Sequence, residues 1–213
     1  MKESQMNSVV ENSFWRRFRK RAQSDNQQYS LRHMFELFIQ DAQRWYVMGQ
    51  ITPREKITLR VLLALLYRNM PLRAMAWFRF GSWCQHNGIP LLPGLIQRKL
   101  LREFGLDIVV GAAIGGGLYI AHPAGTVIAP KRIGQNCSII AAVTIGMRNE
   151  WAFPKIGDNV FIGAGARVLG DIIIGENAMI GANAVAIHDV PADATVVGIP
   201  ARVVGSRNVL VEY

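Results

Sequence analysis

From residue 105 onward an aliphatic residue returns every six positions, a period that few folds can use. The starts fall at Ile108, Ile114 and Ile120, at Ile133, Ile139 and Ile145, and at Ile156, Ile162, Val168, Ile174 and Ile180. The dipeptide Ile-Gly recurs at 114, 133, 145, 156, 162, 174 and 180. Six fits neither the 3.6-residue turn of an amphipathic helix nor the alternation of a half-buried strand. It fits a parallel β-helix, in which each hexad is one short strand plus a corner. The aliphatic side chain points into a triangular core, and the glycine after it eases the corner. Three hexads close a coil, so aliphatic residues roughly 18 apart stack, and about five coils fit. Eleven starts in register exclude a chance run of Gly-rich strands in a sandwich.

The three runs are set apart by two breaks, and the second has a composition of its own. Residues 146–155, Gly-Met-Arg-Asn-Glu-Trp-Ala-Phe-Pro-Lys, separate two clean runs. A polar and aromatic insertion at a solenoid corner points to binding, because the scaffold does not need it. Gly198 to Val204 ends the repeats and is expected to cap the last coil.

The half before the repeats reads differently. Residues 1–29 form a polar, basic arm, residues 30–104 a small α-helical domain, residues 105–205 the β-helix and residues 206–213 a tail. Ser30 is placed to cap a helix through Leu31, Met34, Phe35, Leu37, Phe38 and Ala42. Thr52-Pro53-Arg54-Glu55 is a second start signal, Pro71 opens a third helix through Trp83, and a short fourth ends near Phe104. Residues 1–104 carry 17 Lys/Arg against 7 Asp/Glu, whereas residues 105–213 carry 7 against 8. The whole cationic excess therefore lies ahead of the solenoid, much of it in Trp15-Arg16-Arg17-Phe18-Arg19-Lys20-Arg21. Interleaved aromatics and cations suit an anionic membrane face, with a solvated leader as the alternative; nucleic acid is not expected, since no recognition motif accompanies the charge. The N-terminus lacks the apolar core of a secretory signal, and Val61–Tyr67 is too short an apolar run to cross a bilayer. With two widely spaced cysteines, Cys84 and Cys137, the expectation is a cytoplasmic protein with reduced thiols, working at most at the inner membrane face.

The motifs together resemble the hexapeptide-repeat acyltransferases, in their serine-acetyltransferase-like branch. The segments that carry the resemblance are Gly105–Ile108, Ile120-Ala121-His122-Pro123-Ala124-Gly125, Val143–Gly146, Pro154–Gly157, Ile162–Ala166 and Gly198–Arg202. It extends back through Pro71–Ala74 and Phe78–Trp83. The resemblance implies a left-handed coil, acetyl-CoA as co-substrate without a metal, and a homotrimer, with a dimer of trimers left open. It places His122 as the general base that takes a hydroxyl proton, and Asp107 as the carboxylate that orients it. Small residues at Ala164, Gly165 and Ala182 would let the pantetheine arm lie against the backbone. The amide near Gly146 or Met147 is the implied oxyanion donor, and Arg202 and Arg207 are candidates for the CoA phosphates.

Three departures bear on the acceptor. Enzymes that acetylate serine place a carboxylate before the catalytic histidine, where this chain has Ala121. A second histidine before Pro-Lys-Ile is replaced by Phe153, and an expected acid in the helical domain falls at Lys56, beside Glu55. With Arg148, Trp151 and Phe153 offered by the insertion, the reading favours the branch that acetylates hydroxyls of exopolysaccharide or capsule repeats, with a saccharide acceptor. The alternative is serine O-acetylation for cysteine synthesis, with Glu55 or Glu150 holding the ammonium. A metal enzyme on the same solenoid would need three histidines, and the repeats hold only His122 and His188. A non-catalytic scaffold, suggested by the bare Ala121, is the last rival.

Overall fold

The structure, a computed structural model, describes residues 29–46 and 57–206. Among the described residues four helices precede a three-sided parallel solenoid of about five coils. Helix α1 (Leu31–Tyr46) starts where Ser30 predicts, with the Ser30 hydroxyl accepting from the His33 N–H at 3.1 Å. Helix α2 (Leu59–Arg68) is capped by Thr58; the start signal at Thr52–Glu55 lies outside the described residues. Helix α3 (Met70–His86) carries Pro71 in its first turn, where no N–H is missed. Helix α4 (Leu92–Phe104) stops at Gly105, whose φ of +64° is left-handed. A Cβ at Gly105 would also sit 3.1 Å from the Ala124 Cα, so both torsion and space demand glycine there.

The helices are fastened to the first coil by a buried ion pair. Arg79 on α3 donates to both carboxylate oxygens of Asp41 on α1, at 2.8 and 3.0 Å, and to the carbonyls of Ile114 and Gly115. The Leu118 N–H donates to Asp41 as well, so the carboxylate has partners on both sides of the junction. Burial pushes the Arg79 guanidinium down, but the Asp41 charge and hydrogen bonds more than offset this and hold it above its ordinary value. Beside this pair, Arg44 donates to the Asn136 carbonyl at 2.7 Å and to the Ser138 hydroxyl at 2.8 Å.

Each coil gives one strand or bridge to each of three faces. The first face stacks β1 (Leu106–Ile108), β3 (Thr126–Ile128), β6 (Thr144–Gly146), β9 (Arg167–Leu169) and β12 (Val185–Ala186). The second stacks β4 (Arg132–Ile133), β7 (Lys155–Ile156) and β10 (Ile173–Ile174), with bridges at Ile114 and Val190 completing it. The third stacks β2 (Tyr119–His122), β5 (Ser138–Ala141), β8 (Phe161–Ile162), β11 (Met179–Ile180) and β13 (Ala194–Val197). Register pairs Ile108 with Ile128, Ile128 with Ile145, Ile145 with Val168 and Val168 with Ala186, so one inward column runs the length of the first face. Ile120, Ile139, Ile162, Ile180 and Val196 form the matching column of the third face. All of these side chains are buried. The coil is left-handed, against the usual crossover rule.

The corners correct one expectation. The glycine of Ile-Gly is not there for its torsion: at Gly134 a Cβ would lie 2.7 Å from the Asp158 N of the next coil, so the glycine permits close stacking. The left-handed residue comes two positions later and is usually asparagine, at Asn136, Asn159 and Asn177, with Asp193 last. These residues form a side-chain ladder, Asn159 to Asn177 at 3.1 Å and Asn177 to Asp193 at 3.0 Å. After β13 the chain turns back as β14 (Arg202–Ser206), antiparallel to β13, and Ala201 packs against the end of the core.

Candidate active site

Three edges join the faces, and the candidate residues divide between two of them. The first edge leads from the third face to the first. Its left-handed corner residues are Gly125, Ala142, Gly165 and Asn183, one per coil. His122 ends β2 on this edge, exposed, in register with Ala141 of the next coil. The buried Thr126 hydroxyl donates to the His122 carbonyl at 3.3 Å, which ties the corner behind the imidazole.

Asp107 stands on the outer side of β1, half-buried and paired with Val127. It is brought toward His122 by Gly105, whose carbonyl accepts from the Gly125 N–H at 3.0 Å and which packs against Ala124. The two candidates therefore stand beside one edge, on adjoining coils. Among the described residues no hydrogen bond joins their side chains.

Ala164 and Gly165 follow on the same edge, and then Ala182, all with small side chains. Arg202 pairs with Val197 where β13 reaches this edge, so it closes the column at the far end. Five strand spacings separate it from His122, roughly 24 Å. Arg207 lies outside the described residues, as do Glu55 and Lys56.

Sequence reasoning missed Arg167. From β9 its Nη1 donates to the carbonyls of Ala142 at 2.6 Å, Gly165 at 2.9 Å and Ala166 at 3.3 Å. One guanidinium nitrogen thus holds two successive corners of the His122 edge, including the left-handed alanine, a residue that tolerates that torsion poorly. The available signal was a cation two positions after a corner glycine, at an outward strand position of the repeat.

The remaining candidates lie elsewhere. Gly146 ends β6 and is buried, and Met147 and Arg148 follow it, exposed, on the second edge, between the first and second faces. Trp151 is exposed and meets Phe153 edge to face at 5.3 Å. A cleft of about 260 Å³ opens beside them, lined by Arg148, Glu150, Asp171 and Ile187 among others. Within one chain, then, the insertion does not share an edge with His122. No group of three or more His, Cys, Asp or Glu among the described residues is arranged to hold a metal ion.

Comparison with known proteins decides the family. Residues 153–187 match the model of the bacterial transferase hexapeptide (six repeats). The structure superposes on the serine acetyltransferase of Neisseria gonorrhoeae with a TM-score of 0.72 at 34% identity, covering 83% of this chain and 68% of that one. The chain belongs to the hexapeptide-repeat acyltransferases. A second structure of this acyltransferase from N. gonorrhoeae, in complex with serine, matches at 33% identity and a TM-score of 0.70, over 87% of this chain and 72% of that one. Among curated hexapeptide acyltransferases, the serine acetyltransferase of Synechococcus elongatus is 40% identical over 144 residues, 66% of this chain and 59% of its own. The chloroplastic serine acetyltransferase 1 of Arabidopsis thaliana is 44% identical over 129 residues, 59% of this chain and 40% of its own. The chain thus spans about three-fifths or less of these curated relatives.

These matches overturn the saccharide acceptor, and with it exopolysaccharide assembly, because the relatives of this acyltransferase are named for serine. Trp151 stays exposed and meets Phe153 edge to face, so the aromatic pair by itself selects no acceptor.

Proposed function

We propose that the chain is a serine O-acetyltransferase, carrying the acetyl group of acetyl-CoA to the hydroxyl of L-serine. The observation that carries this reading is the likeness to serine acetyltransferases across both helices and solenoid, including structures in complex with serine and with CoA. In this mechanism His122 takes the hydroxyl proton as the serine oxygen attacks the thioester carbonyl. The carbon–sulfur bond then breaks, and the imidazolium returns the proton to the CoA sulfur. Asp107 orients the imidazole and stabilises its charged form. The pantetheine arm lies along Ala164, Gly165 and Ala182, and Arg202 meets the phosphates; Arg207, the other candidate for them, lies outside the described residues.

The site is completed by a second chain. His122 and the insertion stand on different edges, so a homotrimer would bring one protomer's first edge to its neighbour's second edge. The Gly146–Met147 amide then faces the developing oxyanion. Arg148 and Glu150 of the cleft supply the serine carboxylate and ammonium with partners, in place of the groups replaced by Ala121 and Phe153. A cytoplasmic site of action goes with this proposal.

CoA release from acetyl-CoA by the purified chain tests it, with L-serine against glycine, which lacks the hydroxyl. Release is expected with L-serine alone, and His122→Ala is expected to lose at least about a hundredfold in rate while staying folded. A chain that binds acetyl-CoA yet releases no CoA with L-serine would overturn the acceptor. Near-normal turnover by His122→Ala would remove His122 as base.

A further inference from the structure

Helix α2 is built almost wholly of apolar residues, Leu-Arg-Val-Leu-Leu-Ala-Leu-Leu-Tyr-Arg, and none of them is buried. At 100° per residue, Leu59, Leu63 and Tyr67 fall in one stripe, and they are 71%, 57% and 86% exposed. Arg60 and Arg68 flank the stripe on one side, both exposed. On the other side lies Leu66, which opens into a groove with Met70, Arg73 and Trp77. Lys99 of α4 sits 5.0 Å from the centre of the Trp77 ring, adding a cation beside that groove. Along α2, α3 and α4 the one acid is Glu103, already paired with Lys99, against seven Lys/Arg.

We propose that this face docks the protein on an anionic lipid surface. Leucines at the centre, an aromatic hydroxyl and ring at the margin, and arginines whose stems lie along apolar surface while their heads reach phosphates are what a bilayer interface accommodates. The attachment is peripheral, because no helix among the described residues is long and apolar enough to cross a membrane. A second copy of the chain is the poorer occupant. A two-fold contact would set the Arg60 and Arg68 flank against its own image, with no acid on α2 to pair with it. This inference rests on α2 and stands apart from the identity of the acceptor.

Co-sedimentation of the full chain with vesicles tests it, comparing pure phosphatidylcholine with a phosphatidylcholine–phosphatidylglycerol mixture. Binding is expected to the mixed vesicles only, and to weaken as salt is raised. Arg60→Gln/Arg68→Gln is expected to lower partitioning on the order of tenfold, and Leu63→Glu to abolish it, with CoA release in vesicle-free solution unchanged. The proposal is overturned if the parent protein stays in the supernatant at low salt. It is also overturned if both variants bind like the parent, or if Leu63→Glu halves the mass seen by light scattering, which would make the face a seam between copies.

Discussion

The solenoid and the helices ahead of it solve the burial of apolar surface in opposite ways. In the solenoid each inward residue is backed by its equivalent one coil away, so Ile108, Ile128, Ile145, Val168 and Ala186 cover one another in a column. In the helices nothing repeats, and α2 packs Leu62, Leu65 and Leu66 against Phe38, Ala42 and Leu72 while leaving Leu59 and Leu63 exposed. The charge divides the same way, cationic before residue 105 and near balance after it. A repeat that satisfies itself is free to carry chemistry on its edges, whereas a helical region with an open, charged face is shaped for contact with something else.

The junction is where this contrast breaks most readily. Arg79 and Asp41 are both buried, and each depends on the other. Arg79→Met leaves the buried Asp41 carboxylate without its counter-charge, held by backbone N–H groups alone, and the expected loss is about 3–5 kcal/mol. If the two regions are separable, hydrogen exchange will show α1 and α3 losing protection while β3 to β11 keep theirs. Arg79→Met/Asp41→Leu, which removes both charges, should regain most of the stability. Equal loss of protection in helices and solenoid would instead make the chain one cooperative unit.

Within the solenoid the comparison sharpens at Arg167, a strand residue that serves an edge. Arg167→Gln keeps the inward Val168 column and removes the clamp on Ala142 and Gly165. The expected result is an acetyl-CoA KM raised by about tenfold, with a thermal midpoint lowered by a few degrees as the charge-assisted hydrogen bonds within the fold are lost. Adding Ala142→Asn, which accepts the left-handed torsion, tells corner geometry from direct contact with the donor. Rescue of KM assigns Arg167 to the corner; no rescue assigns it to the acyl donor.

Legibility follows the same division. A period of six exposes every inward residue, since each side of the triangle repeats the same choice of in and out. The asparagine ladder was present in that period, at Asn159 and Asn177, but the glycine two residues earlier took the credit for the turn. Asp41 and Arg79 lie 38 residues apart on different helices, and no spacing rule joins them. The edge that carries His122 was readable as a motif, while its separation from Trp151 and Phe153 needed the register of the coils. Ala121, Phe153 and Lys56 point away from serine as three single positions, whereas the likeness to serine acetyltransferases runs through the segments that surround them.

The smallest effect expected concerns Cys137, where the helices meet the second coil. Its thiol is buried between the first coils, with Sγ 3.2 Å from the Gly157 carbonyl. Burial pushes its pKa up from 9.0 to about 11, chiefly because a thiolate there would lack solvent. In the unfolded chain the thiol ionises first, so its contribution to stability is complete below pH 9 and is lost as pH rises toward about 11. Cys137→Ala should therefore flatten the alkaline limb of the stability curve relative to the parent, at the cost of a small cavity at neutral pH. Denaturant midpoints across that range measure it, and Cys84→Ala, whose thiol burial also pushes up, should act in the same sense. If both variants keep the parent's alkaline slope, the loss belongs to other groups, and the solenoid core is as indifferent to pH as its aliphatic columns suggest.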